Sequence, residues 1–87
     1  MHRIYISGPT EGKGWSRSFS DEESRLRGMK YDVEAPARRG ANLRNRIGKL
    51  VTCDEIAMLR GWSQSEGARI ERDIAMRLGM VVTGAAG

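Results

Sequence analysis

A chain of 87 residues makes one domain, and at that size only about 60–65% of the unfolded surface is buried, so the core is modest and a second copy would help to cover it. Fifteen Lys and Arg against 11 Asp and Glu give a net charge of +4, which favours an anionic partner. A single cysteine excludes an internal disulfide, and without a signal-peptide pattern or an apolar run near 18 residues the expectation is a soluble, cytoplasmic protein away from membranes.

Arg3–Ser7 (RIYIS) is a short β-branched and aromatic run ended by Gly8-Pro9, and it predicts a buried first strand. Thr10–Ser18 reads as a Gly-rich polar loop containing Trp15. Ser20 to Glu23 has the spacing of a capping box, with Phe19 as the preceding staple, so a helix is predicted from there to Gly28 or Met29. Tyr31–Glu34 predicts a second strand, stopped by Pro36. Asn42–Val51 predicts a helix with Leu43, Ile47, Leu50 and Val51 on one side.

Glu55–Leu59 (EIAML) predicts a third strand, followed by a Gly61-Trp62 turn. Ser63 to Glu66 offers a second capping-box spacing for a helix over Ser65–Met80. Met80–Thr83 predicts a last strand, and Gly84–Gly87 a frayed tail. The order βαβαβαβ with short connections predicts a single α/β domain, a parallel sheet of about four strands with helices on both faces. In such sheets ligands sit beyond the carboxyl ends of the strands, near the switch in strand order. The loop after strand one, the turn after strand three and the start of the last helix all fall at that edge.

The last helix carries the least expected residue. Its apolar stripe runs Gly67, Ala68, Ile74, Ala75, Leu78, and Glu71 falls on it. A carboxylate facing a core costs several kcal/mol unless it is paired, hydrogen-bonded or protonated. Glu71 is therefore either a working group or a residue that bends to a rim and pairs with Arg72 or another arginine. Tyr5 would matter to it only if the phenol reached the carboxylate. Ser65 could cap the helix or donate to a ligand oxygen, and the helix start at Ser65, Gly67 and Ala68 suits an anion.

Asp54 could be a second buried acid or a turn-capping residue at the start of a strand. Cys53 reads as a small buried hydrophobe. The loop from Ser7, Gly8 and Pro9 onward lacks the patterns of established phosphate loops. No cluster has metal spacing, and neither a metal nor a cofactor is expected.

Arg38, Arg39, Arg44, Arg46 and Lys49 crowd one acid-free stretch. With no aromatic residue among them to stack on bases, nucleic acid is not the expected partner. A solvated or phosphate-facing helix face fits instead. Met58, Met76, Met80 and Trp62 are candidates to cover an interface in a homo-oligomer.

IYISGP, Leu26-Arg27 with Val33 and Pro36, CDEIAMLRGW, and the run from Ser65 into LGM follow one another along the chain. In this order the sequence resembles the small, often phage-borne proteins of the nucleoside 2-deoxyribosyltransferase-like superfamily. The likeness spans nearly the whole chain and is strongest over Cys53–Met80, where D-x-I-x-x-L-x-G-W and S-x-G-A-x-x-E stand together. It implies a flavodoxin-like fold that binds a nucleoside or nucleotide, in the host cytoplasm if phage-encoded.

In active relatives a Glu matching Glu71 attacks the anomeric carbon, and a tyrosine matching Tyr5 supports it. Ser65 matches a serine that lies near the phosphate in relatives hydrolysing deoxynucleoside 5′-monophosphates. The resemblance therefore implies cleavage or transfer of an N-glycosidic bond, with Ser7, Gly8, Pro9, Ser65, Gly67 and Ala68 around the ligand. Active relatives also carry an acid eight positions before the match to Asp54, and this chain has Arg46 there. The alternative is thus a catalytically weak nucleotide-binding or signal-capturing module, with Arg46 gripping the ligand phosphate.

Overall fold

The computed structural model describes residues 2–12, 14–35 and 42–87. The expectations on Pro36, Arg38 and Arg39 lie outside these residues. Four parallel strands, β1 (Arg3–Ser7), β2 (Asp32–Glu34), β3 (Glu55–Met58) and β4 (Val81–Gly84), form one sheet in the order β2-β1-β3-β4. Helices α1 (Trp15–Gly28), α2 (Leu43–Leu50) and α3 (Glu66–Arg77) connect them. This is the predicted flavodoxin-like arrangement, and its strand order reverses between β1 and β3.

Side-chain alternation along β1 divides the core into two layers. Ile4 and Ile6 join Phe19 and Leu26 of α1, Val33 and Ala57 on one face. Tyr5 faces the other way, with Leu50 of α2, Ala68 and Ala75 of α3, Ile56 and Met58. Cys53 is buried in that second layer, where burial holds its thiol above the ordinary value.

Several boundaries differ from the sequence expectation. Helix α1 starts at Trp15, inside the predicted loop, with Gly14 in the left-handed region as its cap. The stripe through Phe19 and Leu26 continues back to Trp15, whose ring meets Phe19 edge-on at 6.2 Å between centroids. The Ser20–Glu23 spacing is therefore not a cap. Glu22 and Glu23 lie within the helix and pair with Arg25 and Arg27 at 2.7 and 2.9 Å. A capping box and an i,i+3 surface pair have the same spacing, and apolar packing decided between them.

Ser63 belongs to a 3₁₀ turn (Trp62–Gln64), and Ser65 caps α3 by accepting from the Ala68 N–H at 3.3 Å. Asn42 caps α2 in the same way, accepting from the Asn45 N–H at 2.9 Å. Val51 and Leu78, expected on buried stripes, follow their helices as C-caps and are exposed. Asp54 is exposed and so is not a second buried acid; its carboxylate caps no turn but accepts from the Arg3 N–H at the start of β1, at 2.9 Å.

The expected frayed tail is hydrogen-bonded. The Ala85 N–H donates to the Met58 carbonyl at 2.9 Å, the Gly61 N–H to the Gly87 carbonyl at 3.0 Å, and the Trp62 indole to the Ala85 carbonyl at 2.9 Å. No helix among the described residues is long and apolar enough to cross a membrane.

Candidate active site

Glu71 lies in the second turn of α3 and is 1% exposed. Burial without partners would be prohibitive for a carboxylate. Two hydroxyls from β1 meet it instead. Ser7 Oγ donates to Glu71 Oε1 at 2.8 Å, and the Tyr5 phenol donates to Oε2. Residues 5 and 7 share a face of the strand because side chains alternate, so one strand delivers both donors. Arg46 reaches across from α2 and places its Nε 3.5 Å from Glu71 Oε2.

The electrostatics follow from burial. It pushes the Glu71 carboxyl above the ordinary range, and the two hydroxyl hydrogen bonds and the Arg46 charge offset part of that rise. Tyr5 is driven well above the usual phenol value by burial and by the neighbouring carboxylate. Its proton therefore stays on oxygen, which makes Tyr5 the donor of the pair. Hydrogen bonds to a charged group contribute about 1.5–3 kcal/mol each, so the two hydroxyls fix the carboxylate's orientation as well as its burial.

Arg46 explains Gly67. A Cβ built on Gly67 would lie 2.2 Å from Arg46 Nη2, so the bare backbone of the first turn of α3 is what lets the guanidinium lie there. Arg72, the nearer arginine in sequence, goes elsewhere, its guanidinium 4.7 Å from the centre of the Trp62 ring.

The remaining residues expected at the site follow β1 or begin α3. Gly8 packs so closely on Leu59 that a Cβ there would lie 2.7 Å from the Leu59 Cβ. Pro9 stands against the turn after β3, since a Cβ built on Gly61 would lie 3.3 Å from the Pro9 Cγ. The side chain of Ala68 is buried in the core and its N–H is taken by Ser65. Ser65 acts as a cap, a role worth about 1 kcal/mol. A cleft of ≈ 150 Å³ lined by Pro9, Glu11, Trp15, Ser18, Leu59 and Arg60 includes none of the Glu71 cluster, since Trp15 and Leu59 pack in the layer on the other face of the sheet.

The structure thus brings Tyr5, Ser7, Arg46, Gly67 and Glu71 into one cluster, with Ser65 and Ala68 at its margin. Arg46, expected beside a ligand phosphate, faces the Glu71 carboxylate. Its spacing carried the signal: Leu43, Arg46, Ile47 and Leu50 fall on one helical face. Among the described residues no three His, Cys, Asp or Glu side chains gather as a metal site requires.

No curated protein and no solved structure matches the chain. The model of one family, described as a domain of unknown function, matches residues 2–84. With nearly its full length covered by that match, the chain belongs to the DUF4406 family.

Proposed function

We propose that the protein binds a nucleotide and cleaves or transfers the N-glycosidic bond of a (deoxy)nucleoside 5′-monophosphate, with Glu71 as the nucleophile. The observation that carries this reading is a buried carboxylate on α3, held by two hydroxyls of β1, the strand beside which the strand order reverses. Likeness to the nucleoside 2-deoxyribosyltransferase-like superfamily supports it.

In the reaction a Glu71 oxygen attacks the anomeric carbon, the C–N bond breaks, and its electron pair leaves with the base. Water then attacks the same carbon, releasing the sugar phosphate and restoring the carboxylate, as in retaining glycosidases. Tyr5 and Ser7 hold the attacking group in place. With arginine at position 46, the departing base takes its proton from solvent.

A second reading, a nucleotide-capturing module with little or no turnover, is favoured by one observation. Arg46 Nε lies 3.5 Å from Glu71 Oε2, so a cation stands against the carboxylate that would have to attack. Chromatography of deoxynucleoside 5′-monophosphates incubated with the protein separates the two. Free base is expected under the first reading. Its absence, with nucleotide binding measurable by calorimetry, removes the first and leaves the second.

Self-association belongs to the same proposal. Met58 is buried and can cover no interface, whereas Met76, Leu78 and Val81 are more than half exposed around the end of α3 and the outer strand β4. Light scattering at micromolar concentration is expected to report a dimer or larger assembly. A monomer would remove the oligomer.

A further inference from the structure

We infer that Arg46 is a latch on Glu71 which a phosphate group on the ligand opens. The inference rests on the nucleotide reading above and deepens it: the site would be set for phosphorylated ligands, because only they draw the guanidinium away from the carboxylate.

Three observations carry it. First, Glu71 needs no hydrogen bond from Arg46, since each of its oxygens already accepts one from Tyr5 or Ser7. Second, Arg46 Nε is buried yet has no acceptor; its 3.5 Å approach to Glu71 is an ion pair without a hydrogen bond. A buried guanidinium donor without an acceptor is uncommon and marks a place for a missing partner. Third, the guanidinium rests on a helix turn kept bare at Gly67, and its Nη2 would meet any side chain there. It is therefore held by charge and lodged by shape, with hydrogen-bonding capacity unspent.

A phosphate monoester supplies what Arg46 lacks. Its charge at neutral pH is about −1.5 to −2, against −1 for a carboxylate. Its oxygens also accept two parallel N–H bonds from a guanidinium fork. When the fork turns to phosphate, Glu71 loses its counter-charge, and its basicity rises where the sugar would lie. Capture of the phosphate and arming of the carboxylate become one event. A ligand without phosphate leaves the pair closed.

The test follows the Arg46 Nε–H signal and the Glu71 carboxyl signal by ¹⁵N and ¹³C NMR. Inorganic phosphate, deoxyadenosine and deoxyadenosine 5′-monophosphate are titrated in turn. The expected result is a saturable shift of both signals, with one shared midpoint, for phosphate and the monophosphate and not for the nucleoside. Arg46→Gln is expected to weaken phosphate binding at least tenfold and to leave the Glu71 signal unresponsive to phosphate. Arg44→Gln removes the same charge from the exposed face of α2 and is expected to change neither.

Gly67→Ala gives an independent arm, since its methyl group displaces the guanidinium without removing it. The Glu71 signal of that variant, free of phosphate, is expected to have moved already toward its phosphate-bound position. Phosphate that binds without moving Glu71, wild-type phosphate affinity in Arg46→Gln, or no saturable shift at all would each overturn the latch. None of these signals depends on turnover. Absence of base release with coupled shifts removes only the enzyme reading, and base release with uncoupled signals removes only the latch.

Discussion

Replacing Glu71 by glutamine is expected to reduce release of free base from a deoxynucleoside 5′-monophosphate by a factor on the order of a thousand or more, the scale seen when a covalent nucleophile is removed. The amide is isosteric and can still accept from Tyr5, but it cannot attack a sugar carbon. The same variant reports on the cost of holding the carboxylate in the core. Burial raises the Glu71 pKa in the folded state, so folding favours its protonated form.

The sign of the stability effect follows from that direction. Below the ordinary carboxylate range Glu71 is protonated whether the chain is folded or not, and its stabilising contribution is fully present. As pH rises through the unfolded value and then the raised folded one, that contribution is lost. The melting temperature of the wild type should therefore fall relative to that of Glu71→Gln as pH rises above about 4, by an amount equivalent to about 1.36 kcal/mol for each unit of pKa difference. Thermal melts of both proteins across this range are the measurement. A wild type that gains on the variant as pH rises would mean that Arg46 and the two hydroxyls outweigh burial.

Gly84→Ala is expected to be the most damaging single-methyl change in the fold. At a φ of 96° an L residue is already strained, and the added Cβ would lie 2.3 Å from the Met58 carbonyl oxygen and 2.7 Å from the Met58 nitrogen. Those atoms are the backbone of β3, the strand beside it, and cannot turn aside as a side chain can. Left-handed backbone alone costs about 1–2 kcal/mol, and the collision should bring the total to about 3 kcal/mol or more. For a domain this small that lowers the melting temperature by roughly 12 °C or more. Gly79→Ala is the control, since Gly79 also has a positive φ, 73°, but nothing within 4 Å of the added Cβ. Equal losses in the two variants would show that conformation, and not contact with β3, sets the cost.

Much of this was legible in the residues. The β-branched and aromatic run Arg3–Ser7 and the βα order led to the sheet, and the charged residue on the α3 stripe led to the buried carboxylate. What escaped reading has physical causes. The start of α1 was misplaced because Ser20 and Glu23 mimic a cap, while the true start at Gly14 offers no side-chain cap at all. Ser7, expected at a ligand, shares the Tyr5 face of β1, and that position already turned it toward Glu71. Arg46 stands in a basic run and at the position where active relatives carry an acid, and it also lies on the apolar face of α2. The reasoning that singled out Glu71, applied to that helix, finds its partner. The tail was read as frayed because Gly and Ala show no pattern, and its anchoring comes from main-chain hydrogen bonds that any residue could make.

That anchoring bears on how a ligand reaches the site. In many α/β proteins the segment leading into the last helix swings aside to admit a ligand. Here the Gly61–Trp62 corner is tethered from beneath by the carbonyls of Ala85 and Gly87, one through the main chain and one through the indole. Swinging that corner would break both bonds together and uncover the flank of β4. Entry by way of this corner is thus the costly route. The movement near Glu71 that would break fewest bonds among the described residues is rotation of a single long side chain, Arg46, whose buried Nε has no hydrogen bond to lose.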